Sequence, residues 1–124
     1  FRALADELGI WLHIGSLGIN GDDGRIANRS YLLAPDGTIA ARYDKLHMFD
    51  VDLPNGETYR ESDNYSPGSK AVLADMSPRG VPARLGMSIC YDLRFAALYR
   101  ALATAGANMI AIPAAFTKRP GEAH

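Results

Sequence analysis

The stretch ARLGMSICYDLRFAALYRALATAGANMIAI, residues 83–112, decides the fold. Its first part, residues 83–90, is a mainly apolar run with the length of a buried strand. Residues 93–105 repeat apolar side chains near one face, which predicts a helix that Gly106 ends. Residues 108–112 predict another strand. The order strand, helix, strand indicates a right-handed crossover unit of an α/β fold.

Cys90 lies at the carboxyl end of the first of these strands, directly before the predicted helix. Open α/β sheets place ligand sites at this edge. A helix N-terminus favours a thiolate and offers unpaired N–H groups to an oxyanion, so the bend resembles a nucleophile elbow. A lone cysteine after an apolar strand is also typical of a small core residue. Position alone leaves both interpretations open.

The preceding sequence predicts a helix, several strands and two loops. Residues 2–8 are strong helix formers, and Gly9 stands where a helix ends. Residues 10–14 form a short apolar run that fits a strand. Residues 15–25 are rich in Gly, Asn and Asp, which is typical of a loop.

Residues 27–34 and 38–43 flank Pro35-Asp36-Gly37, a specific hairpin signal. Residues 46–70 show little periodicity, and a long irregular segment of this kind is often functional. Residues 71–76 predict a strand before the decisive stretch.

Composition narrows the class of protein. The chain has 124 residues and a formal net charge of −1, with 48% hydrophobic and 22% charged residues, as in an ordinary globular domain. This balance gives no electrostatic reason to expect nucleic acid as a partner. No apolar run reaches the roughly 20 residues of a membrane span. One cysteine excludes an internal disulfide, and a reducing, cytoplasmic location is expected.

The two ends lead us to expect a fragment. Residues 1–8 read as the last turns of a helix already under way, and residues 119–124 read as a loop. We therefore expect residues 1–124 to be the central part of one domain, truncated at both ends.

Three segments resemble, in order, motifs of the nitrilase-like carbon–nitrogen hydrolase superfamily. They are YDKLHMFD at 43–50, Glu61-Ser62 followed by Ser66-Pro67-Gly68, and GMSICYDLRF at 86–95. The first resembles the family's catalytic lysine motif and the last its cysteine motif. Residues 51–54 and Glu61-Ser62 look most like the Nit branch, which contains ω-amidase and deaminated-glutathione amidase. Each motif alone is a weak indication of the family, but the three motifs in this order are specific to it.

The resemblance implies a fold and a reaction. The fold is part of a four-layer α-β-β-α sandwich of the nitrilase type. The reaction is hydrolysis of a small carboxylic acid amide through a Cys90 thioester acyl-enzyme, with release of ammonia and without cofactor or metal. The family's third catalytic residue, a glutamate base, falls upstream of residue 1. We therefore expect the isolated chain to be inactive.

The resemblance assigns Lys45 to the tetrahedral intermediate and the leaving amine, which needs acid assistance. It assigns Glu61 to holding Lys45 charged and oriented. Without the motif match, Lys45 would be read as a solvated lysine and Glu61 as a surface acid. The backbone N–H of Tyr91 would serve the oxyanion, Asp92 would cap the helix, and Arg94 would pair with an acid.

Three further residues are expected at the substrate pocket: Phe116 and Thr117 after the last strand, and His124 by resemblance. His47 could suggest a Cys–His pair, but in this family the base is a carboxylate, and His47 resembles a structural part of the lysine motif. His13 lies in an apolar run and is expected to be a hydrogen-bonded core imidazole. Scattered histidines do not make a zinc site.

The sequence departs from the family in two places. Ala96-Ala97 stands where the family usually has Pro-Glu, which puts the local support of the site in doubt. Residues 118–124 match the family's Ala-His loop only loosely. Two alternatives stay open for the activity: a nitrilase or N-carbamoyl amidohydrolase, and a non-catalytic interaction protein on the same scaffold. The expected partners are a small amide substrate and, in the parent protein, a second copy of the chain.

Overall fold

A computed structural model describes residues 1–21, 24–53 and 56–116. In this part of the chain there are two α-helices, α1 (Arg2–Leu8) and α2 (Ala96–Thr104). The strands are, in chain order, β1 (Leu12–Asn20), β2 (Ile26–Leu33), β3 (Ile39–Asp44), β4 (Asp50–Asp52), β5 (Thr58–Arg60), β6 (Tyr65–Ser66), β7 (Val72–Met76), β8 (Ala83–Met87) and β9 (Met109–Ala111). None of the described helices has the length and hydropathy of a membrane span.

The first sheet has the order β1-β2-β3 with antiparallel pairing, and β6 adds to β2 in parallel. The predicted hairpin is confirmed: β2 and β3 are joined by a turn in which Gly37 has φ 72° and donates its N–H to the Ala34 carbonyl. The predicted helix 2–8 is confirmed too, and Gly9 ends it at φ 61°.

Two predictions about the first strand are wrong. The strand begins at Leu12 rather than at residue 10, and it continues to Asn20 through most of the predicted loop 15–25. Its Gly and Asn residues pair in register, Gly18 with Asn28 and Asn20 with Ile26. Cross-strand pairing with β2 therefore overrides the weak strand propensity of glycine and asparagine. The register shifts once, between Ile14 and Leu17.

The segment 46–70 is more regular than predicted. It contains the two-stranded sheet of β4 and β5, a 3₁₀ turn at Glu61–Asp63, and β6. Strands of two or three residues are too short to show a period in the sequence.

The second sheet has the order β7-β8-β9, and its topology confirms the strand–helix–strand prediction. β8 is antiparallel to β7 and parallel to β9, with α2 between β8 and β9 in the chain. Its boundaries differ from the prediction, because β8 ends at Met87 and α2 begins only at Ala96. A five-residue 3₁₀ turn, Cys90–Arg94, lies between them, and Phe95 (φ −111°, ψ 84°) separates this turn from α2. Cys90 is therefore not at the N-terminus of an α-helix.

The two sheets share one core. Its fully or nearly buried members come from both sheets: Leu32, Tyr43, Ala74, Leu85, Met87 and Ile89. Because side chains alternate along a strand, Gly86 faces away from this core. A Cβ at residue 86 would lie 2.7 Å from Ile110 Cδ1 and 3.0 Å from Leu102 Cδ1. The glycine therefore lets α2 approach the outer face of the second sheet closely.

Candidate active site

Cys90 occupies a strained bend just beyond β8. Its φ is 50°, and among the described residues only Arg79 is another non-glycine residue with a positive φ. The Ser88 N–H donates to the Ala111 carbonyl and the Cys90 N–H to the Pro113 carbonyl (2.9 Å), so pairing with the last strand continues to the bend. A side chain held in this conformation is typical of a nucleophile elbow. The predicted sharp bend is present, although a 3₁₀ turn follows it instead of α2.

Lys45 and Glu61 are brought together at the start and end of the segment that carries β4 and β5. The Lys45 side chain is 3% exposed, and its Nζ lies 2.5 Å from Glu61 Oε2. The same carboxylate oxygen accepts the backbone N–H of Phe49 at 2.6 Å. A buried ammonium is thus paired and oriented by one oxygen, and the solvated-lysine interpretation does not apply.

The backbone of Lys45 is held on both sides. Its N–H donates to the Asn28 carbonyl at 2.9 Å, and its carbonyl accepts the N–H of Gly68 at 2.8 Å. A Cβ at Gly68 would collide with the carbonyl oxygen of Asp44. Glycine is therefore required here for the close approach of residue 68 to the lysine strand.

Asp92 is completely buried and accepts four hydrogen bonds. Oδ2 accepts from Tyr43 Oη at 2.6 Å and from the Ile89 N–H at 2.9 Å. Oδ1 accepts from the His47 N–H at 3.1 Å and from His47 Nδ1 at 2.7 Å. The predicted capping role is present at the 3₁₀ turn, and the same carboxylate reaches the lysine motif 45 residues away.

Tyr43 is the buried donor in this group. Burial, and then the hydrogen bond to Asp92, raise the pKa of Tyr43 far above its usual value, so the hydroxyl keeps its proton. The hydroxyl oxygen accepts the Leu46 N–H at 3.3 Å. Tyr43 and Asp92 therefore form a continuous link between the residue after Lys45 and the turn that carries Cys90.

Aromatic rings join the same two segments. The His47 ring stacks on Phe95 with centroids 3.6 Å apart, and Tyr91 makes edge contacts with Phe49 (5.0 Å) and Phe95 (5.4 Å). Since one face and Nδ1 of His47 are engaged with Phe95 and Asp92, the structure agrees with a structural part for His47.

The remaining predicted site residues are less central. Arg94 ends the 3₁₀ turn with an exposed side chain, and Phe116 is 37% exposed beyond β9. Thr117 and His124 lie outside the described residues.

His13 Nε2 lies 2.7 Å from Ser30 Oγ, which confirms a hydrogen-bonded imidazole, and burial lowers the pKa of His13. The described residues contain no group of three or more His, Cys, Asp or Glu that could hold a metal.

Sequence reasoning assigned no role to Tyr43, Phe49 or Phe95, although all three stand in the quoted motifs. It also missed the close contacts of two glycines, Gly68 and Gly15. Strand alternation places Tyr43 and Lys45 on one face, so the burial of both could have been expected. Nothing local in the sequence indicates the second glycine contact, in which a Cβ at Gly15 would lie 2.8 Å from Pro113 Cβ. This contact matters because the Pro113 carbonyl holds the Cys90 N–H.

The arrangement can support attack by a thiol on a carbonyl. The first hydrogen bond of the 3₁₀ turn is donated by Asp92 to Ile89, which leaves the Tyr91 N–H outside the ladder. A half-buried thiol, a backbone N–H beside it and a buried paired ammonium are the elements that a tetrahedral intermediate needs.

Comparisons with known proteins extend over the whole chain. Residues 1–124 match the family described as carbon-nitrogen hydrolase. A deaminated glutathione amidase from Yersinia enterocolitica is 47% identical over 99% of this chain and 43% of its own length. Human omega-amidase NIT2 is 39% identical over 98% of this chain and 42% of its own length. This chain therefore spans less than half the length of these relatives.

Two solved structures match the backbone. The C. elegans NitFhit protein gives a TM-score of 0.85 at 34% identity, with 99% of this chain and 30% of that chain covered. Saccharomyces cerevisiae Nit3, a member of branch 10 of the nitrilase superfamily, gives 0.81 at 30% identity, with 99% and 41% covered. The predicted nitrilase-type α/β fold is confirmed.

Proposed function

Because this chain belongs to the carbon–nitrogen hydrolase family, we propose that the protein containing it, the parent enzyme, hydrolyses the amide of a small carboxylic acid with Cys90 as the nucleophile. The observation that carries this proposal is the Asp92 carboxylate. It bonds Tyr43 and His47, which stand before and after buried Lys45, and it also bonds the turn of Cys90. A lysine and a thiol outside an active site would not need a shared buried anchor.

The first half of the reaction forms a thioester. The Cys90 sulfur attacks the amide carbon, and its proton passes to a carboxylate base, which the family resemblance places upstream of residue 1. The Tyr91 N–H and the Lys45 ammonium stabilise the oxyanion, which is the largest single contribution in many acyl transfers. The base passes the proton taken from Cys90 to the amide nitrogen, which leaves as ammonia, because an unprotonated amide nitrogen is a poor leaving group.

The second half consumes one water. The base, which has given its proton to the leaving ammonia, takes a proton from water as the water oxygen attacks the thioester carbon. The carbon–sulfur bond breaks, and the base passes this proton to the sulfur to restore the Cys90 thiol. The sum is one amide and one water converted to one carboxylic acid and ammonia. No redox change occurs, and this scheme routes no step through a metal.

We propose a short substrate that carries its own carboxylate, of the α-ketoglutaramate type. The names of the two relatives, deaminated glutathione amidase and omega-amidase, support this choice. A direct test is ammonia release from α-ketoglutaramate, from deaminated glutathione, from a nitrile and from an N-carbamoyl amino acid by the parent enzyme. Turnover of an amide that disappears in Cys90→Ala is the expected result. Turnover of only the nitrile or the carbamoyl compound, or of none, would contradict the proposal.

We also propose that residues 1–124 are the central part of a single hydrolase domain. The covered share of the relatives, 42% and 43%, supports a chain that is part of a longer protein, and the central position rests on the family resemblance. The 124-residue chain alone is then expected to release no ammonia, since the proposed base is outside it. Robust turnover by this chain that is lost in Cys90→Ala would overturn that expectation.

For the parent enzyme we propose a homodimer or a higher homo-oligomer, as the family resemblance implies. We also propose a cytoplasmic location, which rests on the single cysteine. Light scattering on the purified enzyme gives its mass directly, and a monomer at working concentration would contradict the oligomer. Fractionation of the source cells tests the location.

A further inference from the structure

Asp92 sits where two separate pieces of the site meet. Its carboxylate is completely buried, and each oxygen accepts two hydrogen bonds. On one side are the donors of the lysine motif, Tyr43 and His47. On the other side is the Ile89 N–H, immediately before Cys90. All four bonds satisfy a charge that would otherwise be very costly to bury.

On the lysine side, Asp92 fixes the chain directly after Lys45. The His47 N–H donates to Oδ1 at 3.1 Å, and the Leu46 N–H reaches Asp92 through the Tyr43 hydroxyl at 3.3 Å. The N–H and the carbonyl of Lys45 itself are held separately by Asn28 and Gly68. Asp92 thus adds support to the two residues that follow the lysine.

On the cysteine side, Asp92 stabilises a bend that costs free energy. A φ of 50° at Cys90 is sparsely populated for a residue with a Cβ, and it persists only where neighbouring contacts enforce it. Asp92 closes the turn around Cys90 twice, with its side chain on the Ile89 N–H and its own N–H on the Ile89 carbonyl.

We propose that Asp92 is a positioning residue, one that sets the Lys45 ammonium and the Cys90 thiol in a single frame. This inference rests on the proposed function, since it assigns to Asp92 the geometry that the thiol reaction needs. This role is more than capping of the turn, because removal of Asp92 is expected to change the reactivity of Cys90 and not only the stability of the turn.

A carboxylate is required because both of its oxygens face backbone donors. In Asp92→Asn, one oxygen is replaced by an NH₂ group. If that group occupies the Oδ1 position, it faces the His47 N–H; if it occupies the Oδ2 position, it faces the Ile89 N–H. Either orientation leaves one backbone N–H without its acceptor, so one of the two segments is released.

The test makes two comparisons with the parent enzyme. Asp92→Asn is compared with wild type, and Tyr43→Phe is compared with Tyr99→Phe. Both tyrosine changes delete one hydroxyl near the elbow, but Tyr43 Oη donates to Asp92, whereas Tyr99 Oη donates to Ser88 Oγ at 3.0 Å. The readouts are kcat, KM, and the pH dependence of Cys90 alkylation by iodoacetamide, followed by mass spectrometry of the Cys90 peptide.

We expect kcat to fall on the order of 100-fold in Asp92→Asn with KM nearly unchanged, because misplacement affects the transition state more than binding. The alkylation profile should differ from that of wild type, because release of the turn changes the exposure and the orientation of the Cys90 thiol. Tyr43→Phe should shift both readouts in the same direction by less, and Tyr99→Phe should match wild type.

An alkylation profile in Asp92→Asn that coincides with wild type would overturn the inference. If that variant fails to fold, equal alkylation profiles for Tyr43→Phe and Tyr99→Phe would overturn it as well. The alkylation readout needs no turnover, so absence of amidase activity in the wild type would contradict the proposed function without deciding the role of Asp92. If the wild-type enzyme turns over an amide through Cys90, and Asp92→Asn has wild-type kinetics and alkylation, the proposed role of Asp92 is refuted while the proposed function stands.

Discussion

Lys45 Nζ lies 2.5 Å from Glu61 Oε2, and the two side chains are only 3% and 15% exposed. Arg60 and Asp52 form an ion pair with the same 2.5 Å separation, but there the side chains are 42% and 67% exposed. The two pairs lie in one segment, have the same separation and differ strongly in burial. They therefore allow the effect of burial on an ion pair to be measured within one protein.

Glu61→Ala should lower the free energy of unfolding by about 3 to 5 kcal/mol, because it leaves the Lys45 cation buried without its partner. Asp52→Ala is the matched control, with an expected loss below about 1 kcal/mol, since an exposed pair contributes little. Urea denaturation of both variants gives the two values. Similar losses would show that the Lys45–Glu61 pair is not buried in solution.

Glu61→Gln separates charge from geometry. Both hydrogen bonds, from Lys45 Nζ and from the Phe49 N–H, converge on one oxygen, and the amide oxygen of glutamine can accept both. We expect Glu61→Gln to recover part of the stability lost in Glu61→Ala, with amidase activity still below wild type. Full activity in Glu61→Gln would mean that the charge of Glu61 has no part in holding the lysine.

Gly15→Ala should impair Cys90 from a distance. Its Cβ would lie 2.8 Å from Pro113 Cβ, so Pro113, whose carbonyl holds the Cys90 N–H, must shift. Overpacking of this kind costs about 1 to 3 kcal/mol of stability, and we expect kcat/KM to fall on the order of tenfold or more. Gly18→Ala on the same strand is the control, because its nearest contact is the movable Ile26 Cγ2 at 3.3 Å. Equal kcat/KM for the two variants would contradict the link through Pro113.

His47→Asn tests whether His47 acts as a base for Cys90. The asparagine side-chain amide can take over the Asp92 contact of Nδ1, but it cannot serve as a general base. Loss of a general base reduces the rate on the order of 100- to 10,000-fold, whereas loss of the Phe95 stack should cost about tenfold or less. Steady-state kinetics measure the loss of rate. A loss in the range expected for a general base would favour the Cys–His interpretation.

The stability of the protein should fall as the pH drops below about 6.5. Burial lowers the pKa of His13 in the folded state, so the unfolded chain binds a proton first and the folded state loses stability as the pH falls through this window. Ser30 Oγ donates to the Ile14 carbonyl, so His13 Nε2 carries the proton of their shared bond, and a glutamine can replace that donor. His13→Gln should show a smaller decline between neutral and mildly acidic pH, and a decline equal to wild type would exclude His13 as the cause.

The sequence predicts elements well where local chemistry decides them. Gly9 ends α1, Gly37 forms the hairpin turn, and the crossover from β8 to β9 follows from apolar periodicity. Prediction failed in β1, where residues 15–20 are strand because β2 lies beside them. Pairing between strands is a tertiary effect that single residues do not encode.

In the candidate site, too, local chemistry could be predicted and tertiary contacts could not. Cys90 and Lys45 carry chemistry that their motifs reveal, and Asp92 was predicted as a cap from its position near the bend. Its second set of contacts, with Tyr43 and His47, depends on how the two sheets pack, and this could not be predicted from local sequence. The start of α2 at Ala96 was missed for a related reason, because the turn closed by Asp92 delays the helix.

The most direct measurement is mass spectrometry of the parent enzyme quenched during turnover of an amide substrate. If Cys90 is the nucleophile, the peptide that contains it gains the mass of the acyl group, hydroxylamine removes that mass, and Cys90→Ala shows neither the adduct nor ammonia release. Amide turnover that persists in Cys90→Ala, or an acyl group found on another residue, would contradict the account.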